Sequence, residues 1–308
     1  MYKVTNYING KENLDSNESL DIVNPSYGTQ IGEVLYATKM SANDAIDVAA
    51  ETFKTWSKTG LSYRAELMMK FRQGVIDRSE DIIDICVTEA GKTRPDAEAE
   101  LDRAIQALTH IAGVQHFYPS IMSPNVAGGI DIADVRYPIG VVAGCGPFNF
   151  PILIPILQSS MAIVTGNTFI AKPSEKVPSI SRLYGDIYKE SGLPDGCYNV
   201  LNGGKEIVEQ LVCSEKVAGL AFIGSTAAAK SLKLLGVQYN TKVQALGGGK
   251  NHMIVLPDAD LNMAADAAVS ASFGAAGQRC MAVSVVVAVG DIGDDLINKI
   301  KERMPSLV

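Results

Sequence analysis

Cys280 stands in the run Phe273-Gly274-Ala275-Ala276-Gly277-Gln278-Arg279-Cys280-Met281, a thiol among small residues directly preceded by a cation. A thiol attacks carbon as its thiolate, the form that a neighbouring cation and backbone donors favour, so this setting suits a nucleophile. Taken alone, a cysteine in an Ala/Gly-rich segment would be a small buried hydrophobe. Lys172-Pro173-Ser174-Glu175 closes a run that reads as a strand. A carboxylate placed there can accept from both hydroxyls of a ribose while the lysine donates to them. Seen in isolation, the same four residues are equally a surface Lys and Glu at a helix start. Gly144-Cys145-Gly146-Pro147-Phe148-Asn149 opens like GxGxxG but ends in Asn149, which makes it weak by itself. Gly91-Lys92-Thr93 hints at a phosphate loop, yet Cys86 occupies the place of the first glycine of GxxxxGK(S/T) and a long helix precedes it. That spacing speaks against ATP.

Elements must hold these residues in place, and the composition provides for them. With 308 residues and 47% hydrophobic content, the chain can bury a large core and is long enough for two lobes. A formal charge of -7 leaves no basic stripe, which argues against nucleic acid or an anionic membrane as partner. Cys86, Cys145, Cys197, Cys213 and Cys280 are widely spaced without a CxxC, so neither a disulfide framework nor a thiolate metal site is expected. His110, His116 and His252 are too scattered for a metal site, and no metal is expected. The start, Met1-Tyr2-Lys3-Val4-Thr5-Asn6, has no signal-peptide pattern, and no apolar run reaches the length of a membrane span. A reducing cytoplasm is the expected location.

The opening segments Tyr7 to Lys11 and Asp21 to Pro25 read as short strands around turns. From Ser41 to Ala90 the pattern is helical, with Ala45, Val48, Ala49, Phe53 and Trp56 on one face, followed by Met68, Phe71, Val75 and Ile82. A further helix is expected from Pro95 to about Phe117. Tyr118 to Val135 breaks the periodicity with Pro119, Pro124, Gly128 and Gly129 and reads as an exposed arm. From Pro138 onward strands and helices alternate, the pattern of a parallel sheet with crossover helices. Strands are expected at Ile139–Gly144, Thr168–Lys172, Tyr198–Leu201 and Gly219–Ile223, with helices at Pro151–Thr165 and Ser179–Ser191. A nucleotide would sit at the carboxyl ends of these strands.

Gly146-Pro147-Phe148-Asn149-Phe150-Pro151, Lys172-Pro173-Ser174-Glu175, Phe222-Ile223-Gly224-Ser225-Thr226, Gly247-Gly248-Gly249-Lys250-Asn251 and Gly277-Gln278-Arg279-Cys280 together resemble, in order, the motif set of the aldehyde dehydrogenase superfamily. Within it, Lys250-Asn251-His252 and Phe273 to Ala282 look most like the CoA-acylating methylmalonate (malonate) semialdehyde dehydrogenases. The resemblance implies an α/β, Rossmann-like aldehyde dehydrogenase fold. Its nucleotide-binding lobe would span 1–245, with an oligomerisation arm near 119–135, and 246–308 would be the first part of a catalytic lobe. It makes Cys280 the nucleophile and the side-chain amide of Asn149 an oxyanion donor. Lys172, Glu175, Ser225 and the backbone near Gly146, Phe148 and Gly247 would hold the cofactor, with Lys176 beside them. Glu175 would repel a 2′-phosphate, so NAD is expected over NADP.

Hydrolytic members of the superfamily carry a Glu that activates the deacylating water, and aligning on Lys250-Asn251 places Leu246 there. Leu cannot act as a base, so CoA is the expected acyl acceptor. Arg103 and Arg279 match the subfamily's arginines and would take a substrate carboxylate through bidentate hydrogen bonds. The plain alternatives are a solvated helix face shared with Glu98, Glu100 and Asp102 for Arg103, and a structural ion pair for Arg279. The implied reaction oxidises malonate or methylmalonate semialdehyde with NAD and CoA to acetyl-CoA or propionyl-CoA, NADH and carbon dioxide, in a homodimer or homotetramer. Other possibilities are a dehydrogenase that hydrolyses its thioester and a catalytically silent nucleotide-binding or interaction protein. The superfamily continues past the nucleophile with a Glu that holds the nicotinamide ribose and a strand that supports oligomers. The sequence therefore reads either as a portion of a longer enzyme or as a short product.

Overall fold

The computed structural model describes residues 1–117 and 120–306, in two compact units, Met1–Leu246 and Gly247–Val308. Tyr118 and Pro119, at the start of the expected arm, lie outside the described residues.

Among the described residues of the first unit, a seven-stranded sheet runs in the order Lys242–Leu246, Val217–Ile223, Val141–Cys145, Thr168–Lys172, Tyr198–Val200, Asn6–Ile8 and Lys11–Asn13. Neighbours among the first five pair in parallel, and the last two join antiparallel. The chain lays down Val141–Cys145, steps outward through Thr168–Lys172 and Tyr198–Val200, then returns to the far side of its starting strand with Val217–Ile223. The order thus reverses between Val141–Cys145 and Val217–Ile223. Connections leave the two strands in opposite directions there, which opens a crevice beyond their carboxyl ends.

The central strands, Val141–Cys145, Thr168–Lys172 and Tyr198–Val200, are largely buried because both faces of the sheet are covered there. Phe169 and Ala171 pack on one side with Trp56, Phe71 and Tyr188, while Ile170 packs on the other with Ala45, Ile46 and Leu211. Each large side chain so buried stabilises the unit by about 1.5–3 kcal/mol. Phe71 and Tyr188 stack at 3.7 Å between ring centroids. A second, three-stranded sheet, Tyr2–Val4, Thr29–Ala37 and Ser16–Asn24, closes around Val4, Ile22 and Val34.

Several boundaries differ from the sequence reading. The helical stretch from Ser41 to Ala90 is divided into Lys39–Trp56, Leu61–Asp77 and Ser79–Ala90, with breaks at Gly60 and Arg78. The next helix, Arg94–Ala112, stops before Gly113, and Val114–Phe117 forms a separate turn of helix. Strand Val141–Cys145 begins later than expected because the side chain of Asn167 takes the N–H groups of Ile139 and Gly140, at 2.8 and 3.2 Å. Those donors are lost to the ladder. Ile121–Ala127 and Ile130–Asp134 form an antiparallel hairpin, every residue of which is exposed.

In the second unit, strand Asn251–Val255 pairs in parallel with Val283–Ala288. Helices Leu261–Phe273 and Gly293–Arg303 cover it around Val255, Ala264, Ala265 and Leu296.

Candidate active site

Lys172 ends its strand with its side chain almost fully buried, and its ammonium donates to Glu175 at 3.4 Å. Both line a cleft of about 500 Å³. Gly204, Val208, Phe222, Ala228 and Leu232 line it as well. The lining therefore combines the Lys172–Glu175 ion pair and the polar side chains of Lys205, Glu209 and Ser231 with apolar residues, and small residues sit at the N-terminus of helix Thr226–Tyr239. Ser225 caps that helix, its Oγ accepting from the Ala228 N–H at 3.3 Å, which leaves the hydroxyl proton for another acceptor. The phenol of Tyr36, on the same cleft, has its pKa raised by burial and by the carboxylates of Glu175, Glu18 and Glu206.

Beside the cleft, the Gly146 N–H donates to the carbonyl of Lys172 at 3.1 Å. Its donor is committed, so only its carbonyl is left for a ligand. Lys176, though exposed, holds its ammonium 5.0 Å from the centre of the Phe148 ring. This contact ties the turn containing Asn149 to the loop after Lys172. Arg103 sits on the exposed face of Arg94–Ala112 and donates to Gln106 at 3.2 Å; it does not line the cleft. Glu98 and Asp102 share that exposure, but Glu100 does not: the expectation of a solvated face is wrong for it, because its carboxylate is turned inward and paired with Lys92. Leu246 ends its strand half exposed, with its carbonyl accepting from the Gly224 N–H at 3.1 Å.

The remaining site residues belong to the second unit. Gly247 lies in an exposed segment before Asn251. Cys280 is exposed and lies just after Ala275, Ala276 and Gly277, which all have left-handed backbones with φ of 51°, 54° and 69°. The side-chain amide of Asn251 donates to the carbonyls of Cys280 and Ala282 and holds this segment. Arg279 packs its guanidinium over Gly274, where an added Cβ would stand 2.6 Å from Nη1. The other cysteines differ in setting. Burial raises the thiol of Cys145 to about 11, against a smaller opposing effect of Lys172, and burial raises those of Cys86 and Cys197 to about 12. Cys213 is partly buried. Among the described residues no helix is long and apolar enough to cross a membrane, and no group of three or more metal-binding side chains occurs.

Sequence reasoning did not find the apolar residues of the cleft or the role of Asn251. The run Ala227-Ala228-Ala229 after Ser225 was a usable signal, because small side chains let a ligand approach a helix end.

The first unit is thus a doubly wound α/β unit with Lys172 and Glu175 on a cleft at a strand end, and the second unit presents an exposed cysteine. Residues 13–308 match the aldehyde dehydrogenase family, and the chain belongs to it. It is 37% identical over 304 residues to malonate-semialdehyde dehydrogenase of Bacillus pumilus, covering 98% of this chain and 63% of that protein. It superposes with a TM-score of 0.97 and 38% identity on methylmalonate-semialdehyde dehydrogenase (DddC) from Oceanimonas doudoroffii, covering 100% of this chain and 63% of the other. A protein from Sinorhizobium meliloti 1021, assigned as a methylmalonate-semialdehyde dehydrogenase and complexed with NAD, gives a TM-score of 0.96 and 36% identity over 100% of this chain and 63% of its own. The chain thus spans less than two thirds of the length of these relatives.

Proposed function

We propose that the chain carries the NAD-binding and nucleophile-bearing parts of a CoA-acylating dehydrogenase for malonate or methylmalonate semialdehyde. Cys280 carries the reading: it is an exposed thiol on a segment held by Asn251, whereas Cys86, Cys145 and Cys197 are buried and kept protonated. The cleft suits the adenosine half of NAD, with Lys172 and Glu175 for the ribose and Phe222 and Leu232 for the ring. When bound, NAD supplies the acceptor for the aldehyde hydrogen and its electron pair. The Cys280 thiolate forms a bond to the aldehyde carbon and moves the carbonyl electrons onto oxygen. The amide of Asn149 is the proposed donor to that oxygen, an interaction worth about 3–4 kcal/mol in the transition state. After oxidation a thioester remains on Cys280. Attack by the CoA thiol then forms acyl-CoA and returns the sulfur of Cys280. A carboxylate β to the new thioester carbonyl leaves as carbon dioxide, with its electrons passing into an enolate that is protonated to acetyl-CoA or propionyl-CoA.

Leu246 supports CoA as acceptor, since it offers no base for water. Arg103 and Arg279 are the proposed carboxylate ligands. The exposed hairpin of the arm is the proposed pairing element of a homodimer or homotetramer, and 1–245 and 246–308 are the proposed functional divisions. Among the described residues the cysteines are free, in keeping with the reducing cytoplasm we assign to the protein.

NADH formation measured with and without CoA tests the reaction. Without CoA we expect a burst followed by slow turnover, because the acyl group stays on Cys280. Sustained turnover at an equal rate without CoA would assign deacylation to water, and no NADH under either condition would reject the dehydrogenase reading.

A further inference from the structure

Lys92 and Glu100 form an ion pair at 2.5 Å, with side chains 6% and 1% exposed. Neither residue belongs to the cleft or to the proposed chemistry. The second carboxylate oxygen of Glu100 accepts from the backbone N–H groups of Ile152 and Leu153, at 2.9 and 2.8 Å. These donors open helix Leu153–Val164, where intrahelical partners are missing and a negative charge is favoured. They follow Asn149 by a few residues. The ammonium of Lys92 lies 4.6 Å from the centre of the Phe150 ring, and the Tyr184 hydroxyl donates to the carbonyl of Ile152 at 3.1 Å. The segment immediately after Asn149 is therefore gripped at a side chain, two N–H groups and a carbonyl.

We infer that Glu100, with Lys92 as its counter-ion, is a positioning residue that fixes the Asn149 turn for oxyanion stabilisation. The inference rests on the active-site reading given above. A buried carboxylate that ends on the backbone N–H groups of a turn sets where that turn stands, and its neutralisation releases the turn while the apolar packing around it persists. Arg103 follows Glu100 on the same helix, so the helix carries the clamp on its buried side and a proposed substrate ligand on its exposed side.

Hydrogen exchange in the full chain tests the clamp on Glu100→Gln and on the volume-conserving pair Glu100→Gln/Lys92→Met. Exchange at Ile152 and Leu153 should rise about tenfold or more in both, while Thr168–Lys172 keeps its protection. An equal rise in both segments, or none in either, would overturn the inference. Glu100→Gln should lower kcat roughly tenfold to a hundredfold with KM for NAD unchanged, since the turn is displaced rather than the cofactor lost. Added to Asn149→Ala, it should cost nothing more. Penalties that multiply would show that Glu100 acts elsewhere. Full activity in Asn149→Ala would instead sink the active-site reading, with the exchange result still deciding whether the clamp exists.

Discussion

The side-chain amide of Asn251 donates to the carbonyl of Cys280 at 2.9 Å and to that of Ala282 at 3.1 Å. A residue at the start of one strand thereby anchors the segment leading into its neighbour, Val283–Ala288. The anchor is needed because Ala275 and Ala276 adopt left-handed backbones, each costing about 1–2 kcal/mol for a residue with a Cβ. Asn251→Ala removes both hydrogen bonds and should destabilise the protein by about 1–3 kcal/mol. It should also change the alkylation rate of Cys280, read by mass spectrometry. An unaltered melting curve and an unaltered alkylation rate would reject the anchor.

Cysteine chemistry should separate by burial. Iodoacetamide should modify Cys280 well before Cys145, whose thiol burial raises to about 11, and before Cys86 and Cys197. Cys280→Ala should abolish NADH formation without unfolding the protein or removing NAD binding, whereas Cys145→Ala should keep most activity. NADH formation at the normal rate in Cys280→Ala would refute the nucleophile.

Glu175 tests cofactor choice. After burial, its carboxylate is the next cause that raises the pKa of Tyr36 on the same cleft. Glu175→Gln removes that charge, so the ratio of kcat/KM for NAD to that for NADP should narrow. An unchanged ratio would make Glu175 a surface residue with no part in selection.

Legibility followed the kind of signal each residue sends. Lys172 to Glu175 could be read because a polar pair interrupts an apolar strand, and Cys280 because small residues and a cation surround it. Val208 and Leu232 could not, since an apolar residue at helical spacing gives the same pattern whether it meets a core or a ligand. Glu100 was hidden for another reason. Flanked by exposed Glu98 and Asp102, it resembles a solvated helix face, and its inward turn depends on a lysine from a different segment. The strand at Thr168–Lys172 matched its apolar run, but Val141–Cys145 was shortened by the side chain of Asn167, a contact no local pattern encodes.

Glu89 gives a pH dependence of stability. Burial raises its carboxyl pKa, against opposing hydrogen bonds from Ser179 and Tyr2. A folded-state pKa above the unfolded one means that the native state holds the proton more tightly. Its contribution to stability is complete below the ordinary carboxyl value of about 4.3 and is lost as pH rises through the raised folded value. Denaturation followed from pH 4 to 7 should therefore show wild type losing stability relative to Glu89→Gln. A difference that stays constant or reverses would exclude Glu89 as the source.

Substrate recognition is the most demanding test of the proposed reaction. Arg103 is exposed and bonded to Gln106, while Arg279 packs over Gly274, so the two cations are held differently. If both take the substrate carboxylate, Arg103→Leu and Arg279→Leu should each raise KM for malonate semialdehyde by the loss of a charge-assisted hydrogen bond, about 1.5–3 kcal/mol. Propanal lacks the carboxylate and should be affected far less. Gly274→Ala offers an independent check, because its Cβ would displace the Arg279 guanidinium without removing the charge. It should lower selectivity for the carboxylated aldehyde in the same direction as Arg279→Leu. Equal losses on both aldehydes in the arginine variants would reject carboxylate recognition and leave the arginines as structural cations.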